Sequence, residues 1–157
     1  MELSYRKSKS EEQTKKIAAE LVNKFKNQLT KKCLIFALEG ELGTGKTIFA
    51  KGVAEALGIK KIIRSPSFII QREFPYTLGD LNGKFYHIDL WRMENEKEVA
   101  KLKIEDLTKS GNVVLIEWAE KMGILSEKFK KMLDVIFLYI KIFHEGENER
   151  RLEVTGY

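Results

Sequence analysis

An α/β fold, a sheet flanked by helices with antiparallel additions from hairpins, follows from three features of the sequence. Two short apolar runs, Cys33 to Leu38 and Val113 to Ile116, suit strands covered on both faces, and they alternate with stretches whose apolar residues recur at helical spacing. A glycine-rich segment, Gly40 to Gly45, leads directly from the first of these runs into a helical stretch. Two further pairs of runs are separated by turn residues and have the pattern of β-hairpins: Phe68 to Phe74 with Lys84 to Leu90, and Leu133 to Phe143 with Arg151 to Thr155. At 157 residues and 43% hydrophobic, the chain can bury one core and is short for two. A single domain over 1–157 is expected.

In chain order, Glu2 to Ser8 alternates weakly and suits an edge strand. Ser10, with Gln13 three places on, makes a capping-box signature, so a helix starts there. Ile17, Ala18, Leu21, Val22 and Phe25 then fall on one helical face, with lysines and glutamates opposite. After Cys33 to Leu38 and the glycine-rich loop, Ile48, Phe49, Val53, Ala54 and Leu57 mark a second helix, which Gly58 stops. The first hairpin turns through Gly79-Asp80-Leu81-Asn82-Gly83, Glu94 to Leu107 has helical character, and the strand Val113 to Ile116 ends at Glu117. Glu145-Gly146-Glu147-Asn148 turns the last hairpin. There are no repeats and no proline-rich linker, Pro66 and Pro75 being the only prolines.

The net charge of +5 suits a protein that meets anionic ligands, whether nucleotide, RNA or an acidic protein. A single cysteine, Cys33, excludes an intrachain disulfide and reads as a buried thiol in a reducing compartment. No basic segment followed by an apolar stretch opens the chain, and no run of eighteen apolar residues occurs. A cytoplasmic protein without membrane attachment is the expectation.

The segment Gly40-Glu41-Leu42-Gly43-Thr44-Gly45-Lys46-Thr47 satisfies G-x-x-x-x-G-K-[ST] in full. Each fixed position has a mechanical reason: glycines turn backbone N–H groups toward phosphates, Lys46 reaches the terminal phosphates, and the Thr47 hydroxyl ligates Mg²⁺. The N-terminus of the following helix adds its positive dipole end. A chance match in a chain this short is on the order of 1%. The sheet is therefore expected to be P-loop NTPase-like, with a nucleoside triphosphate and magnesium as its ligands.

Such a site also needs an acidic residue at the end of a buried strand to hold the metal shell. Glu117 closes the more apolar strand and Asp89 follows Phe85-Tyr86-His87-Ile88. An ordinary strand-end carboxylate is the alternative at each. Asp80-Leu81-Asn82-Gly83 matches the D-x-x-G of GTPases but sits where a hairpin turn is wanted, and no N/T-K-x-D follows anywhere, so adenine is favoured over guanine. Ser65-Pro66-Ser67 occupies the place of a switch segment whose hydroxyl senses the γ-phosphate, with a plain proline loop as the alternative.

Taken in order, GELGTGKT, SPSF, YHIDLWR and IEW resemble the TsaE family of bacterial P-loop ATPases over nearly the whole chain. The family pattern runs G-D-L-G-A-G-K-T, S-P-T-F, H-x-D-x-Y-R and E-W. The resemblance implies that Gly40 to Thr47 bind the phosphates of ATP, that Thr47 and Glu117 hold Mg²⁺, and that Lys46, Asp89 and Glu117 serve hydrolysis, Asp89 by orienting water. It also implies nucleotide contacts from Ser67 and Trp118, and from the helix start around Gln13 and Thr14. In this family the ATPase acts on a complex of TsaB and TsaD to support threonylcarbamoyladenosine synthesis on tRNA, meeting tRNA only through that complex. Glu41, Ser67 and Trp91 depart from the pattern, where the family has Asp, Thr and Tyr.

Two rival readings rest on other residues. A small-molecule P-loop kinase would use a basic lid, for which Lys121 to Lys131 is basic enough, although a solvated helix face explains it as well. A nucleic-acid-binding module would use Phe85, Tyr86, Trp91 and Arg92, although their spacing suits core positions of a strand.

Overall fold

The computed structural model describes residues 1–157. Its elements are β1 (Glu2–Ser8), α1 (Glu11–Phe25), β2 (Cys33–Glu39), α2 (Lys46–Ala56), β3 (Gln71–Leu78), β4 (Leu81–Asp89), α3 (Glu96–Lys101), β5 (Val113–Glu117), α4 (Ile124–Phe129), β6 (Val135–His144) and β7 (Arg150–Gly156). All seven strands form one sheet in the order β1-β7-β6-β2-β5-β4-β3. The central block β6-β2-β5-β4 is parallel throughout. Antiparallel hairpins extend it at both ends, β3 on β4 and β7 on β6, with β1 closing the sheet beyond β7. The α/β architecture with hairpin additions is the one the apolar runs indicate.

Two apolar layers cover the sheet. On one face α1 and α2 bury Leu34, Phe36 and Leu38 of β2, with Leu115 and Phe85, under Ala18, Val22, Phe49 and Val53. On the other, Cys33, Ile35 and Ala37 pack with Val114 and Ile116 against Val99, Ile104, Met122 and Phe129. Burial on both faces is why β2 and β5 read as unbroken apolar runs.

Ser10 caps α1, its Oγ accepting from Gln13 N at 3.1 Å, while Gln13 Oε1 accepts from Lys9 N at 2.6 Å. The helix crosses α2 at Gly52, where a Cβ would lie 2.6 Å from both Cα and O of Lys15. Helix α2 ends at Gly58, whose φ of 74° lets its N–H reach Glu55 O at 3.0 Å and that of Ile59 reach Ala54 O at 2.9 Å.

Four boundaries differ from the sequence reading, each for a local reason. The strand expected from Phe68 begins at Gln71, because the Pro66 carbonyl accepts from Ile69 N (3.0 Å) and Ile70 N (2.6 Å) and closes a turn with Ile70 at φ 67°. The turn after it is only Gly79-Asp80, since Leu78 already pairs with Leu81. Of the D-x-x-G match, then, just Asp80 is turn, and Gly83 is a strand residue packed against the Gly111 carbonyl. The helical stretch Glu94 to Leu107 splits at Lys103 (φ 49°) into α3 and a 3₁₀ turn over Ile104–Leu107. Strand β6 starts at Val135, leaving Leu133 exposed. No helix is long and apolar enough to cross a membrane.

Candidate nucleotide site

Strand β2 has β5 and β4 on one side and β6 on the other, so the strand order reverses at its carboxyl end. Crevices at such reversals are where open α/β sheets bind ligands. The glycine loop leaves β2 at this point and enters α2. Gly43 (φ 77°) and Gly45 (φ 102°) adopt backbone conformations that side-chain-bearing residues rarely take, which is why the loop can fold back over the helix N-terminus.

Lys46 is buried to 5% exposure beneath the loop, its Nζ donating to the carbonyls of Gly40 (2.6 Å) and Glu41 (2.9 Å). The ammonium also lies 4.2 Å from the centre of the Trp118 ring. Burial pulls its pKa below the ordinary lysine value, against the opposing pull of Glu117, Glu120 and Asp89.

Asp89 and Glu117 are register partners at the ends of the parallel strands β4 and β5, and both are buried. They divide the surrounding donors between them. Glu117 Oε1 accepts from the Thr47 hydroxyl at 3.0 Å and lies 2.8 Å from His87 Nε2. Asp89 Oδ2 accepts from Ser67 (2.8 Å) and Ser65 (3.1 Å), and its Oδ1 from Trp91 N (2.8 Å). Glu117 is thus the acid in contact with the P-loop threonine, and Asp89 tethers the Ser65-Pro66-Ser67 segment. Trp118 takes a left-handed backbone (φ 60°, ψ 44°) and sets its ring 4.5 Å from that of Trp91.

These groups surround an open cavity of about 490 Å³. Leu42, Gly43, Gly45, Lys46 and Thr47 line it from the loop, and Ser67, Asp89, Glu117 and Trp118 from across it. Gly40, Glu41 and Thr44 instead face an adjoining hollow of about 470 Å³. Thr14 is not on the cavity: it is fully buried, with its Oγ1 2.8 Å from Ser8 Oγ and bonded to Ser10 O, and Glu11 lines the cavity from the helix start in its place.

Besides Glu11, three contributors were not assigned from sequence. Arg150, at the start of β7, lines the cavity and donates from Nε to Thr44 O at 2.6 Å; only its position in a basic segment hinted at it. Phe68, expected to open a hairpin strand, is 82% exposed at the cavity edge, under the Arg92 guanidinium at 4.8 Å. His87 belongs to the HxD pattern, and its position two residues before Asp89 on one strand face was the available signal.

The basic segment Lys121 to Lys131 is part of the molecule's wall. Phe129 is fully buried against Phe137, Lys121 Nζ is held by the carbonyls of Trp91 and Met93, and Lys128 and Lys130 pair with Glu105 and Glu127. Phe85 and Tyr86 are core residues as their spacing indicates, whereas Trp91 is half exposed on the cavity.

The donor set suits magnesium held jointly with a nucleotide. The fold has no cluster of three or more His, Cys, Asp or Glu side chains that would cage a metal alone. It offers one hydroxyl and one carboxylate beside a phosphate-sized loop, and Mg²⁺ commonly binds through one or two protein groups plus phosphate oxygens and water.

One family model, described as Threonylcarbamoyl adenosine biosynthesis protein TsaE, matches residues 8–152. A Bacillus subtilis (strain 168) relative, called tRNA threonylcarbamoyladenosine biosynthesis protein TsaE, is 38% identical over 122 residues, 78% of this chain and 69% of its own length. One of the same name from Aquifex aeolicus is 33% identical over 145 residues, 91% of this chain and 90% of that one. The crystal structure of Bacillus subtilis YdiB superposes with a TM-score of 0.64 at 30% identity, covering 98% of this chain and 84% of that one. With a P-loop at the switch point of the sheet's parallel block and a family match from Ser8 to Leu152, the chain belongs to the TsaE family of threonylcarbamoyl adenosine biosynthesis proteins.

Proposed function

We propose that this protein binds ATP with Mg²⁺, hydrolyses it slowly, and uses that cycle to support threonylcarbamoyladenosine modification of tRNA by acting on a complex of TsaB and TsaD. The observation that carries this reading is the hydrogen bond from Thr47 to Glu117 directly beneath a complete glycine loop with a buried Lys46. The loop amides and the α2 N-terminus would bind the phosphates, and Lys46 would stabilise the charge that grows on them. Thr47 and Glu117 would hold Mg²⁺, which when bound supplies positive charge to the β- and γ-phosphate oxygens. Asp89 would orient the attacking water, its carboxylate already facing the cavity and fixed by three donors. Adenine is the base favoured by the sequence, which lacks the guanine-reading N/T-K-x-D.

Partner action is supported by the rim of the cavity, where Leu42 and Phe68 are 79% and 82% exposed. Apolar side chains collected at the mouth of a polar site are what a protein partner would cover. Reconstitution tests the whole reading: purified protein, TsaB, TsaD, tRNA, ATP and an activated threonylcarbamoyl donor should yield modified tRNA, and Lys46→Ala should abolish both hydrolysis and modification. Equal modification with Lys46→Ala would overturn it.

A further inference from the structure

Glu117 is gripped from behind by a side chain that never reaches the cavity. His87 sits inside β4 with no exposed surface, its ring parallel to that of Phe85 at 6.2 Å and its Nε2 2.8 Å from Glu117 Oε1. In the parallel register Asp89 pairs with Glu117 and His87 with Leu115, so His87 lies one pleat behind the two acids on their own face. The carboxylate has only lone pairs to offer, so Nε2 carries the hydrogen of this bond. The other ring nitrogen, Nδ1, is buried with no partner at all.

An orphaned nitrogen in the core is a cost that leucine or phenylalanine would avoid. What the imidazole supplies in return is one rigid donor aimed at one oxygen. Both hydrogen bonds on Glu117, from Thr47 and from His87, converge on Oε1, leaving Oε2 without a protein partner while the residue lines the cavity. We propose that His87 is a positioning residue for the metal-binding end of the nucleotide site: its Nε2–H locks the Glu117 rotamer, so that Oε1 stays on Thr47 and Oε2 stays presented to the magnesium shell. Partners that orient a metal ligand from behind govern metal affinity strongly, typically by about 10- to 100-fold. The inference rests on the Mg²⁺–ATP reading of the site.

The test separates metal binding from nucleotide binding and from stability. A fluorescent ATP analogue is titrated into wild type, His87→Leu, His87→Gln and His87→Asn, once in EDTA and once across a magnesium series. Glutamine can place its amide nitrogen near the Nε2 position and reach Glu117, whereas the shorter asparagine cannot. In EDTA all folded variants should bind the analogue within about twofold of wild type, because His87 does not touch the phosphates. In magnesium, His87→Leu and His87→Asn should need about 10- to 100-fold more metal to reach the same occupancy, and His87→Gln should recover most of the loss. The metal concentration for half-maximal hydrolysis should rise in step, with a smaller fall in maximal rate. Should leucine fail to fold, the asparagine and glutamine variants carry the comparison alone. Magnesium curves of His87→Asn and His87→Gln that coincide would overturn the positioning role. A wild type whose analogue binding ignores magnesium would instead overturn the Mg²⁺–ATP reading on which it stands.

Discussion

The Thr47 hydroxyl donates to Glu117 Oε1 at 3.0 Å, tying the first turn of α2 to the end of β5 across 70 residues of chain. A glutamine at position 117 keeps an oxygen that can accept from both Thr47 and His87, so Glu117→Gln should fold normally. It removes the negative charge that would face the proposed metal. Magnesium-dependent hydrolysis should fall by about 10²–10³, the usual loss when one preorganised electrostatic group is removed. Nucleotide binding in EDTA should hold or tighten, because a carboxylate beside the phosphates has become neutral. Hydrolysis that persists in Glu117→Gln would move the metal's protein ligand elsewhere.

Asp89 is expected to behave differently, because its carboxylate is occupied by Ser65, Ser67 and the Trp91 amide. Asp89→Ala strips three hydrogen bonds at once. Each bond to a charged group contributes on the order of 1.5–3 kcal/mol, and water entering the cavity offsets part of the loss. The segment around Pro66 should loosen before the sheet does. Hydrogen exchange at the amides of Ile69 and Ile70, which bond to Pro66 O, should accelerate while the β2 amides stay protected. Uniform protection across both regions would mean that the serine segment holds itself in place.

The parts of this protein that could be read in the sequence are those decided locally. Cys33 to Leu38 is apolar at every position because both faces of β2 are covered, and the loop announces itself because Gly43 and Gly45 need positive φ. Glu117 and Asp89 were legible as strand-end acids, and the family resemblance gave Glu117 the metal and Asp89 the water, but the sharing of donors between them was not legible. It depends on β4 lying beside β5, which brings His87 within reach of Glu117 and leaves Asp89 to the serine segment. Arg150 was out of reach for the same reason: the β6–β7 hairpin carries it back onto the loop from the far end of the chain. Phe68 misled because aromatic and branched residues favour strands only where a surface is there to cover them. Here the Pro66 turn lifts it into solvent.

Phe68 carries the partner prediction. At 82% exposure its ring contributes little to the fold, so Phe68→Ser should move stability by no more than about 0.5 kcal/mol. If TsaB and TsaD cover this rim, their affinity for this protein should weaken about tenfold or more, as when an aromatic anchor is lost from an interface. Undiminished affinity would place the contact on another face.

Alkaline pH should expose the buried thiol. Burial, with a smaller push from Asp134, raises Cys33 from an ordinary value of 9.0 to about 12, and Tyr76 rises from 10.0 to about 12 for the same reason. Both groups keep their protons to higher pH when folded than when unfolded. Their stabilising contribution is therefore complete below about pH 9 and is lost as pH climbs toward 12. Denaturant midpoints should fall across that window, and Cys33→Ala should flatten the fall. At about pH 8 an aromatic disulfide should modify Cys33 only as fast as the protein opens. Rapid modification of the folded state would show that β2 is reachable from solvent.

Gly52 sets two opposed effects against each other. Within α2, alanine is the better helix former by about 1 kcal/mol, so propensity alone says that Gly52→Ala should stabilise. Its Cβ, however, would lie 2.6 Å from Cα and O of Lys15 and 2.9 Å from Ala18 Cβ. Two of those atoms are backbone in the middle of α1 and cannot rotate aside, so the helix itself must move off the sheet. Forcing one extra carbon into a packed contact typically costs about 1–3 kcal/mol, which exceeds the propensity gain over most of that range. At roughly 2–4 °C per kcal/mol for a chain of this size, the melting temperature should drop by a few degrees. Displacing α1 also displaces Glu11 at its start, on the cavity wall, so nucleotide affinity should fall along with stability. A melting temperature that rises with Gly52→Ala would mean that α1 rides loosely on α2 and that the glycine is there for no packing reason.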